Sequence, residues 1–322
     1  MQRGTRALIF GLLIGGGLGG TLGLQAYQHW RQQEQRQWEL QRRRASWDRL
    51  KQAIWEEVRA FPGQSGVWIE DLGAGWVAAH QADKAFPAAS VVKVPILVAC
   101  LKEAEAGEVD LAEPVTLRGR DKVDGSGMLK ELPNGSKVTV GKLVELMVTR
   151  SDNTATNLLI SRLGMEQLNR SFLEMGLSGT RLSRRMMDFS RRKQGVENWT
   201  TARDMSLVFR KIYRGERMSP AVSRRCLDLL KQQEINDRIP KLLPPGTVVA
   251  HKTGLEKGVC HDAGIVFMHE GKSTPSFSME TTRSFALFLI AWPAMFLFRV
   301  MAGSTRWKKR RCSLRPPRIR IT

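Results

Sequence analysis

Cysteine is scarce in this sequence, which has four cysteines among 322 residues. Cys100, Cys226, Cys260 and Cys312 form no Cys-x-x-Cys pair, and no histidine near them has the spacing of a zinc site. They define neither a disulfide framework nor a metal centre. We interpret them as isolated thiols and leave a bridge between Cys100 and Cys226 open as the alternative. Their number leaves the redox compartment undecided.

Acidic residues are nearly missing from both ends of the chain. The formal net charge is +20, from 51 basic and 31 acidic residues. Residues 1–44 contain seven arginines and two glutamates, and residues 301–322 contain eight basic residues and no acid. Most of the excess positive charge therefore lies in two tails. Because no nucleic-acid-binding motif or basic-aromatic strip accompanies this charge, we predict no nucleic-acid partner.

Charged residues are also missing near the start of the chain. Residues 7–24 are apolar apart from one threonine, and eighteen such residues reach the lower length limit for a membrane span. Arg3 and Arg6 precede this run, as they do in a signal peptide or signal anchor. We predict that residues 1–28 are a membrane anchor or signal segment and that residues 7–24 contact the membrane. Whether the segment is cleaved stays open.

The sequence pattern divides the rest of the chain. Residues 29–45 are polar and rich in Gln and Arg, which predicts a helical stalk. A second helix, ended by Pro62-Gly63, is predicted from apolar residues at helical spacing, namely Trp47, Leu50, Ile54 and Val58. No internal repeat is present.

Strand patterns lie at both ends of the central region. Residues 66–72 and 75–80 predict a hairpin, helical patterns fill residues 91–233, and strand patterns return at 247–252 and 263–268. This order predicts one sheet built from both chain ends, with a helical subdomain inserted between them. The fold class is α/β (α+β).

The segment Phe86–Lys93 reads FPAASVVK and runs into a predicted helix. Ser90 lies at the first turn of that helix, and Lys93 follows three residues later on the same face. A serine hydroxyl becomes a strong nucleophile when a base takes its proton, and a lysine amine with a lowered pKa can be that base. Taken alone, the pattern is also typical of a helix cap followed by a solvated lysine.

Two further motifs occur later in the chain. Ser151-Asp152-Asn153 lies between two helical patterns, where Ser151 can relay a proton and Asn153 can donate its amide to a substrate carbonyl. Lys252, Thr253 and Gly254 end a predicted strand, where the cation and the hydroxyl can bind a substrate carboxylate. Gly254 leaves room for a substrate to pair along the strand edge. Alone, the first motif is also typical of a helix cap and the second of a strand entering a turn.

Together and in this order, the three motifs resemble those of the penicillin-recognising serine enzymes, which are the class A β-lactamases and their penicillin-binding relatives. The sequences GSGMLKELPNG at 125–135 and AHKTG at 250–254 extend the resemblance. It implies a β-lactamase/transpeptidase-like catalytic domain over residues 46–303, with an antiparallel sheet and an inserted helical subdomain. The implied activity is that of a serine acyl-enzyme hydrolase that uses no metal and no other cofactor.

The resemblance also implies roles for individual residues. The catalytic residues are Ser90, Lys93, Ser151 and Leu255, and the substrate-binding residues are Asn153, Lys252, Thr253 and Gly254. In this scheme Ser90 is acylated, Lys93 is its base, and Ser151 passes a proton to the leaving nitrogen. The backbone N–H groups of Ser90 and Leu255 form the oxyanion hole. His251 and His261, which flank the third motif, are interpreted as structural.

Three functions stay open within this resemblance. The first is a class A-type β-lactamase, and the second is a D-alanyl-D-alanine carboxypeptidase or transpeptidase acting on peptidoglycan stem peptides. The third is a non-hydrolytic penicillin-binding sensor. These substrates imply a single-pass protein of the cytoplasmic membrane whose catalytic domain is periplasmic or extracellular. The oligomeric state is not predicted.

Residues 180–205 depart from the family pattern. Class A β-lactamases carry a glutamate in this loop that activates the deacylating water, but the Glu-x-x-Leu-Asn pattern is missing here. The loop has three acids, Asp188, Glu197 and Asp204. We expect Asp188 to anchor the loop through the arginines around it, and we interpret Glu197 either as loop scaffold or as a displaced base. Slow deacylation follows if no acid takes the missing role.

The sequence after Met268 also departs from the family. Residues 285–298 are nearly all apolar but too short for a confident membrane span, and residues 304–322 form a basic tail. Three interpretations stay open. The terminus is frameshifted or misassembled and lacks the final strand and helix, or it makes a second membrane contact with a basic cytoplasmic tail, or it is a divergent folded end.

Overall fold

The structure is a computed structural model that describes residues 19–269 and 282–290. The chain divides into two compact units, Met1–Glu57 and Val58–Thr322. The predicted boundaries of the anchor, stalk, catalytic domain and basic tail stay predictions.

One helix, α1 (Gly19–Ala60), spans both the predicted stalk and the predicted second helix. Residues 24–60 contain neither glycine nor proline, so no helix-breaking residue interrupts the backbone. The prediction of two separate helices is wrong for this reason. The helix ends just before Pro62, as expected.

The apolar run predicted to contact the membrane, residues 7–24, lies outside the described residues as far as residue 18. From Gly19 onward it forms the start of α1. In the described part of the chain, no helix combines the length and the apolar composition that crossing a membrane requires. The anchor or signal segment at residues 1–28 stays a prediction.

The second unit is built on an antiparallel sheet. Its strands, with those of two short ladders, are β1 (Gly66–Asp71), β2 (Trp76–His80), β3 (Phe86–Pro87), β4 (Pro114–Thr116), β5 (Lys137–Thr139), β6 (Trp199–Thr200), β7 (Val248–Glu256), β8 (Val259–His269) and β9 (Thr282–Ile290). The five-stranded sheet has the order β2-β1-β9-β8-β7, while β3 pairs with β6 and β4 pairs with β5. The predicted hairpin and the sheet built from both chain ends are confirmed.

The strand β9 lies at the centre of the sheet. It pairs antiparallel with β1 on one side and with β8 on the other. The interpretation that the chain has lost its final strand is therefore wrong for residues 282–290. Residues 291–322, which include the rest of the apolar run and the basic tail, lie outside the described residues.

The helices of the second unit come between β3 and β7, as the inserted helical subdomain requires. They are α2 (Lys93–Glu105), α3 (Val140–Thr149), α4 (Asn153–Leu163), α5 (Met165–Glu174), α6 (Phe189–Lys193), α7 (Ala202–Arg214) and α8 (Pro220–Lys231). The helix α2 is the centre of the core, because its residues from Lys93 to Leu101 are all buried. A helix that is apolar on every side is typical of a fully enclosed position.

The cysteines of the described residues are unbridged. Cys100 and Cys226 are buried and free, and Cys260 is free and half-buried. Burial raises the pKa of the Cys226 thiol to about 12, so the thiol stays protonated and unreactive at neutral pH. The interpretation as isolated thiols holds for Cys100 and Cys226, which form no bridge with each other. Cys312 lies outside the described residues.

Candidate active site

Ser90 lies in a tight turn that leads into the central helix. The turn is a 3-10 helix over Ala89–Val92, and α2 begins directly after it at Lys93. Ser90 therefore lies one turn before the α-helix rather than in its first turn. Ala89 has a φ of 44°, a left-handed conformation that is uncommon for a residue with a side chain. Such strained backbone is found most often at functional sites.

The edge strand β7 approaches this turn at Gly254. A Cβ atom at Gly254 would lie 3.3 Å from the backbone nitrogens of Ser90 and Val91. A side chain here would push the strand away from the turn that holds Ser90. The glycine thus has a second role, close packing of the strand, besides the predicted room for substrate.

Two lysines converge on the hydroxyl of Ser151. Lys252 Nζ donates a hydrogen bond to Ser151 Oγ over 3.0 Å, and Lys93 Nζ lies 3.2 Å from the same oxygen. Lys93 Nζ also donates to the Ser151 carbonyl over 2.7 Å and to Asn153 Oδ1 over 2.8 Å. The structure therefore brings the three predicted motifs into one hydrogen-bonded chain.

Both lysines are fully buried, and burial disfavours the ammonium form of each. Burial lowers the pKa of Lys93 well below its ordinary value, and the nearby charge of Lys252 lowers it further. Burial likewise lowers the pKa of Lys252 to about 7, although the Asp262 carboxylate opposes this change. Lys93 is thus the group that can be a neutral base, and Lys252 is a cation that titrates near neutral pH.

The neutral form of Lys93 fits the hydrogen bonds around it. A neutral amine can donate to the Ser151 carbonyl and to Asn153 Oδ1 while its lone pair accepts the Ser151 hydroxyl proton. Ser151 Oγ remains free to accept the hydrogen bond from Lys252. The arrangement forms a path for a proton between Lys93 and Ser151.

The loop that carries Ser151 is fastened by Asp152. The Asp152 carboxylate accepts hydrogen bonds from the backbone nitrogens of Met128, Leu129 and Ala155, at 2.7, 2.9 and 2.8 Å. It therefore caps α4 and fixes the 125–129 loop at the same time. Gly127, with a φ of 113°, packs so closely that a Cβ there would lie 2.2 Å from Asp152 Cγ. The interpretation of this motif as a helix cap is confirmed for Asp152, whereas no pattern in the sequence predicted its hydrogen bonds to the 125–129 loop.

The remaining predicted binding residues lie near the end of β7 or beside Ser151. Asn153 Nδ2 donates to the carbonyl of Asp124 over 3.2 Å. Thr253 is buried and lies opposite Asp262 in the β7–β8 register. The Leu255 side chain is 62% exposed, so this position presents its backbone and an apolar side chain at the strand edge.

The two histidines have structural partners, which fits their structural interpretation. His251 Nδ1 lies 2.8 Å from Asp262 Oδ1, and its Nε2 lies 2.9 Å from Asn236 Oδ1. His261 Nε2 lies 2.7 Å from the carbonyl of Pro87. Burial lowers the pKa of His261 to about 4, so the ring is neutral at pH 7 and donates its Nε2–H to that carbonyl.

The acids of residues 180–205 are all engaged. Asp188 caps the short helix α6 by accepting the backbone N–H of Arg191 over 3.0 Å, so it anchors the loop through a backbone group rather than an arginine side chain. Asp204 accepts the Thr180 hydroxyl over 2.7 Å, and burial raises its pKa.

Glu197 is buried between two arginines. Its Oε1 lies 2.7 Å from a guanidinium nitrogen of Arg184, and its Oε2 lies 3.1 Å from Arg192 Nε. Both carboxylate oxygens are therefore ion-paired. This geometry favours the scaffold interpretation of Glu197 over the displaced base.

Comparison with known proteins identifies the family. The model of the β-lactamase enzyme family matches residues 49–281. The structure of PBP-A is 32% identical, with a TM-score of 0.67 over 78% of this chain and 92% of that one. A β-lactamase from Sphaerobacter thermophilus is 30% identical, with a TM-score of 0.66 over 79% of this chain and 93% of that one. A mutant of PBP-A, solved as an acyl-enzyme complex with penicillin G, is 33% identical, with a TM-score of 0.68 over 78% and 92% of the two chains.

The family match covers most of the catalytic unit, and the matching structures contain both β-lactamases and a penicillin-binding protein. The fold and the order of the three motifs agree with this match. The chain therefore belongs to the β-lactamase enzyme family and is a serine hydrolase of the β-lactamase and penicillin-binding type.

Proposed function

We propose that β-lactams acylate Ser90 and that the resulting acyl-enzyme hydrolyses slowly. The single observation that carries this proposal is the hydrogen-bonded chain from Lys93 through Ser151 to Lys252. It supplies a base, a proton relay and a cation beside the turn that holds the candidate nucleophile.

Each step of acylation has a residue to perform it. Neutral Lys93 takes the Ser90 hydroxyl proton while Ser90 Oγ attacks the lactam carbonyl carbon. The backbone N–H groups of Ser90 and Leu255 stabilise the oxyanion that forms. When the tetrahedral intermediate collapses, the carbon–nitrogen bond breaks and Ser151 passes a proton to the leaving nitrogen. Lys93 then returns its proton to Ser151 along their 3.2 Å contact.

Substrate binding is assigned to the end of β7 and to Asn153. A protonated Lys252 and the Thr253 hydroxyl pair with the substrate carboxylate, while Asn153 holds the amide beside the scissile bond. This carboxylate is common to penicillins and to peptides that end in D-alanine. The same site therefore suits both substrate classes.

Deacylation requires a base on the water's side of the ester. Among the acids of residues 180–205, Glu197 is ion-paired through both oxygens and Asp188 caps a helix. These engagements support a long-lived acyl-enzyme. A related PBP-A mutant has been captured as an acyl-enzyme with penicillin G, which is consistent with a persistent adduct in this type of fold.

The second candidate is a D-alanyl-D-alanine carboxypeptidase or transpeptidase acting on peptidoglycan. The ion pairing of Glu197 favours it, because an enzyme specialised for β-lactam turnover needs a free base. For either candidate we propose that the catalytic unit lies outside the cytoplasmic membrane, held by residues 7–24. The apolar, uncharged run and the location of the substrates support this placement.

Labelling with a fluorescent penicillin tests the proposed function. The wild-type protein should acquire one label per chain, on Ser90, and Ser90→Ala should acquire none. Equal labelling of the two proteins would contradict the proposal. A D-alanyl-D-alanine peptide and penicillin then separate the two enzymes. Release of D-alanine supports the peptidase, and hydrolysis of penicillin without release of D-alanine supports the β-lactamase.

A further inference from the structure

A cluster of four charged side chains joins the 180–205 loop to the end of β7. It consists of Arg184, Arg192, Glu197 and Glu256. Arg184 donates to Glu197 Oε1 through Nε over 2.8 Å and to Glu256 Oε1 through Nη2 over 2.9 Å. Arg192 lies 3.1 Å from both carboxylates, through Nε to Glu197 and through Nη1 to Glu256. The four formal charges sum to zero.

Three of the four side chains have little contact with solvent, so the ion pairs among them are weakly screened. The side chains of Arg184, Glu197 and Glu256 are 3%, 8% and 13% exposed, and that of Arg192 is 28% exposed. Buried ion pairs hold their partners in a specific geometry even where they add little net stability. Among the described residues, Glu256 Oε2 is also buried and accepts no hydrogen bond. The Glu256 carboxylate is thus held through Oε1, by the two arginines alone.

The cluster connects the two backbone segments that carry the oxyanion donors. Glu256 directly follows Leu255 on β7. On the other side, Asn198 follows Glu197, and the Asn198 carbonyl accepts a hydrogen bond from the Ala88 N–H over 2.7 Å. Ala88 lies two residues before Ser90. Two connections therefore link the backbone at Leu255 to the backbone at Ser90. One runs through the 180–205 loop, and the other is the close packing of Gly254 against the Ser90 turn.

We propose that Glu256 is a positioning residue for the oxyanion hole, acting through the arginine pair to fix Leu255 relative to Ser90. This inference rests on the proposed acylation of Ser90. Hydrogen-bond donors stabilise a developing oxyanion only when their geometry is set before the reaction. Leu255 and Glu256 pair with Cys260 and Val259 at the last positions of the β7–β8 ladder, beside the hairpin turn. Losing the Glu256 carboxylate loosens this end of the ladder, whereas Lys252 and Thr253 pair further from the turn and stay in place.

Glu256→Gln tests the inference, because it removes the charge and keeps the size of the side chain. Stopped-flow labelling over a range of penicillin concentrations separates the maximal acylation rate from the binding constant. We expect the maximal rate to fall about tenfold, less than the complete loss of an oxyanion donor causes, with the binding constant unchanged. Glu113→Gln, which removes one carboxylate from the half-exposed Glu113–Arg162 pair, is the matched control and should acylate at the wild-type rate.

Arg192→Gln keeps the test decisive if Glu256→Gln does not fold. It changes the more exposed side of the cluster and should slow acylation similarly. Where both single variants fold, the double variant should be no slower than the slower single variant. Wild-type acylation kinetics in folded Glu256→Gln, or in Arg192→Gln, would overturn the inference and leave the proposed function standing. A lower melting temperature without a slower maximal rate would also overturn it. A wild-type chain that is not labelled at Ser90 would instead refute the proposed function.

Discussion

The chemistry proposed for this site depends on two buried lysines. Lys93 and Lys252 both contact Ser151 Oγ, yet they need opposite protonation states. In the proposed mechanism Lys93 acts as a base when it is neutral, whereas Lys252 binds a carboxylate when it is charged. Because their nitrogens share one hydroxyl, the protonation of either lysine affects the other.

The pH dependence of acylation follows from these two groups. Below its lowered pKa Lys93 is protonated, so acylation falls as the pH falls. Above a pKa of about 7 Lys252 loses its charge, so acylation of the free enzyme falls again as the pH rises. We predict a bell-shaped profile of the second-order acylation rate constant, with its alkaline limb starting near pH 7.

Lys252→Arg isolates the alkaline limb. A guanidinium stays charged at every pH of the experiment, so the decrease above pH 7 should disappear while the acid limb remains. The measurement is the second-order labelling rate from pH 5 to pH 10 for the two proteins. An alkaline limb that persists in Lys252→Arg would show that another group titrates there.

At this scale the sequence predicted the residue types and their grouping but not the contacts between them. Ser90 with Lys93, Ser151 and Lys252 were found because short spacing and a fixed order mark them. The pair formed by Arg184 and Glu256 is separated by 72 residues and has no local pattern. Such contacts are set by the packing of elements, which periodicity does not encode.

At the scale of elements, three segments meet at the site and each is held by a specific contact. The turn of Ser90 packs against β7 at Gly254, and the 125–129 loop is fastened to α4 by Asp152. These contacts place side chains from distant parts of the chain within hydrogen-bonding distance. Rigidity of this kind is what keeps a catalytic geometry intact between turnovers.

Asp152→Ala should destabilise the protein by about 2–5 kcal/mol, because it removes a helix cap and leaves buried backbone N–H groups unpaired. Urea unfolding gives the free energy directly. The matched control is Asp188→Ala, which removes the cap of the short helix α6 and one exposed hydrogen bond. Its cost should be about 1 kcal/mol or less. Equal losses in the two variants would contradict the double role of Asp152.

Sequence patterns were less reliable for elements than for motifs. The hairpin of β1 and β2 was predicted because two runs with strand patterns are separated by clear turn residues. The strand β9 was missed, because a short apolar run in the middle of a sheet has no alternation to distinguish it from other buried segments. The continuity of α1 could not be predicted from composition, because a polar segment is followed at Trp47 by apolar residues at helical spacing, and such a change is also typical of a boundary between two helices.

At the scale of the whole molecule, the chain joins an apolar, basic N-terminal region to a catalytic unit of the β-lactamase enzyme family. The excess positive charge lies mainly at the two ends, away from the three motifs in the sequence. The proposed topology therefore assigns membrane contact to one segment and catalysis to another.

Protease treatment of spheroplasts tests this topology. If residues 7–24 hold an exported catalytic unit, added protease should degrade the unit in intact spheroplasts, together with known exported markers. A cytoplasmic marker should survive in the same sample. A catalytic unit that survives with the cytoplasmic marker would contradict the proposed location.

The central claim is that penicillin acylates Ser90 readily and that the adduct hydrolyses slowly. The hydrolysis is slow because both oxygens of Glu197 are ion-paired. General-base assistance typically accelerates a step by about 10² to 10⁴, so an adduct without it should persist correspondingly longer than in an efficient β-lactamase. The most direct test is mass spectrometry of the intact protein over time after a single dose of penicillin, for the wild type, Ser90→Ala, Glu197→Gln and Glu256→Gln. We predict a persistent adduct on the wild type, none on Ser90→Ala, and a lifetime in Glu197→Gln similar to that in Glu256→Gln, because both variants disturb the same ion-pair cluster. Rapid return of the wild type to free enzyme, or an adduct that lives about tenfold longer in Glu197→Gln than in Glu256→Gln, would contradict the account.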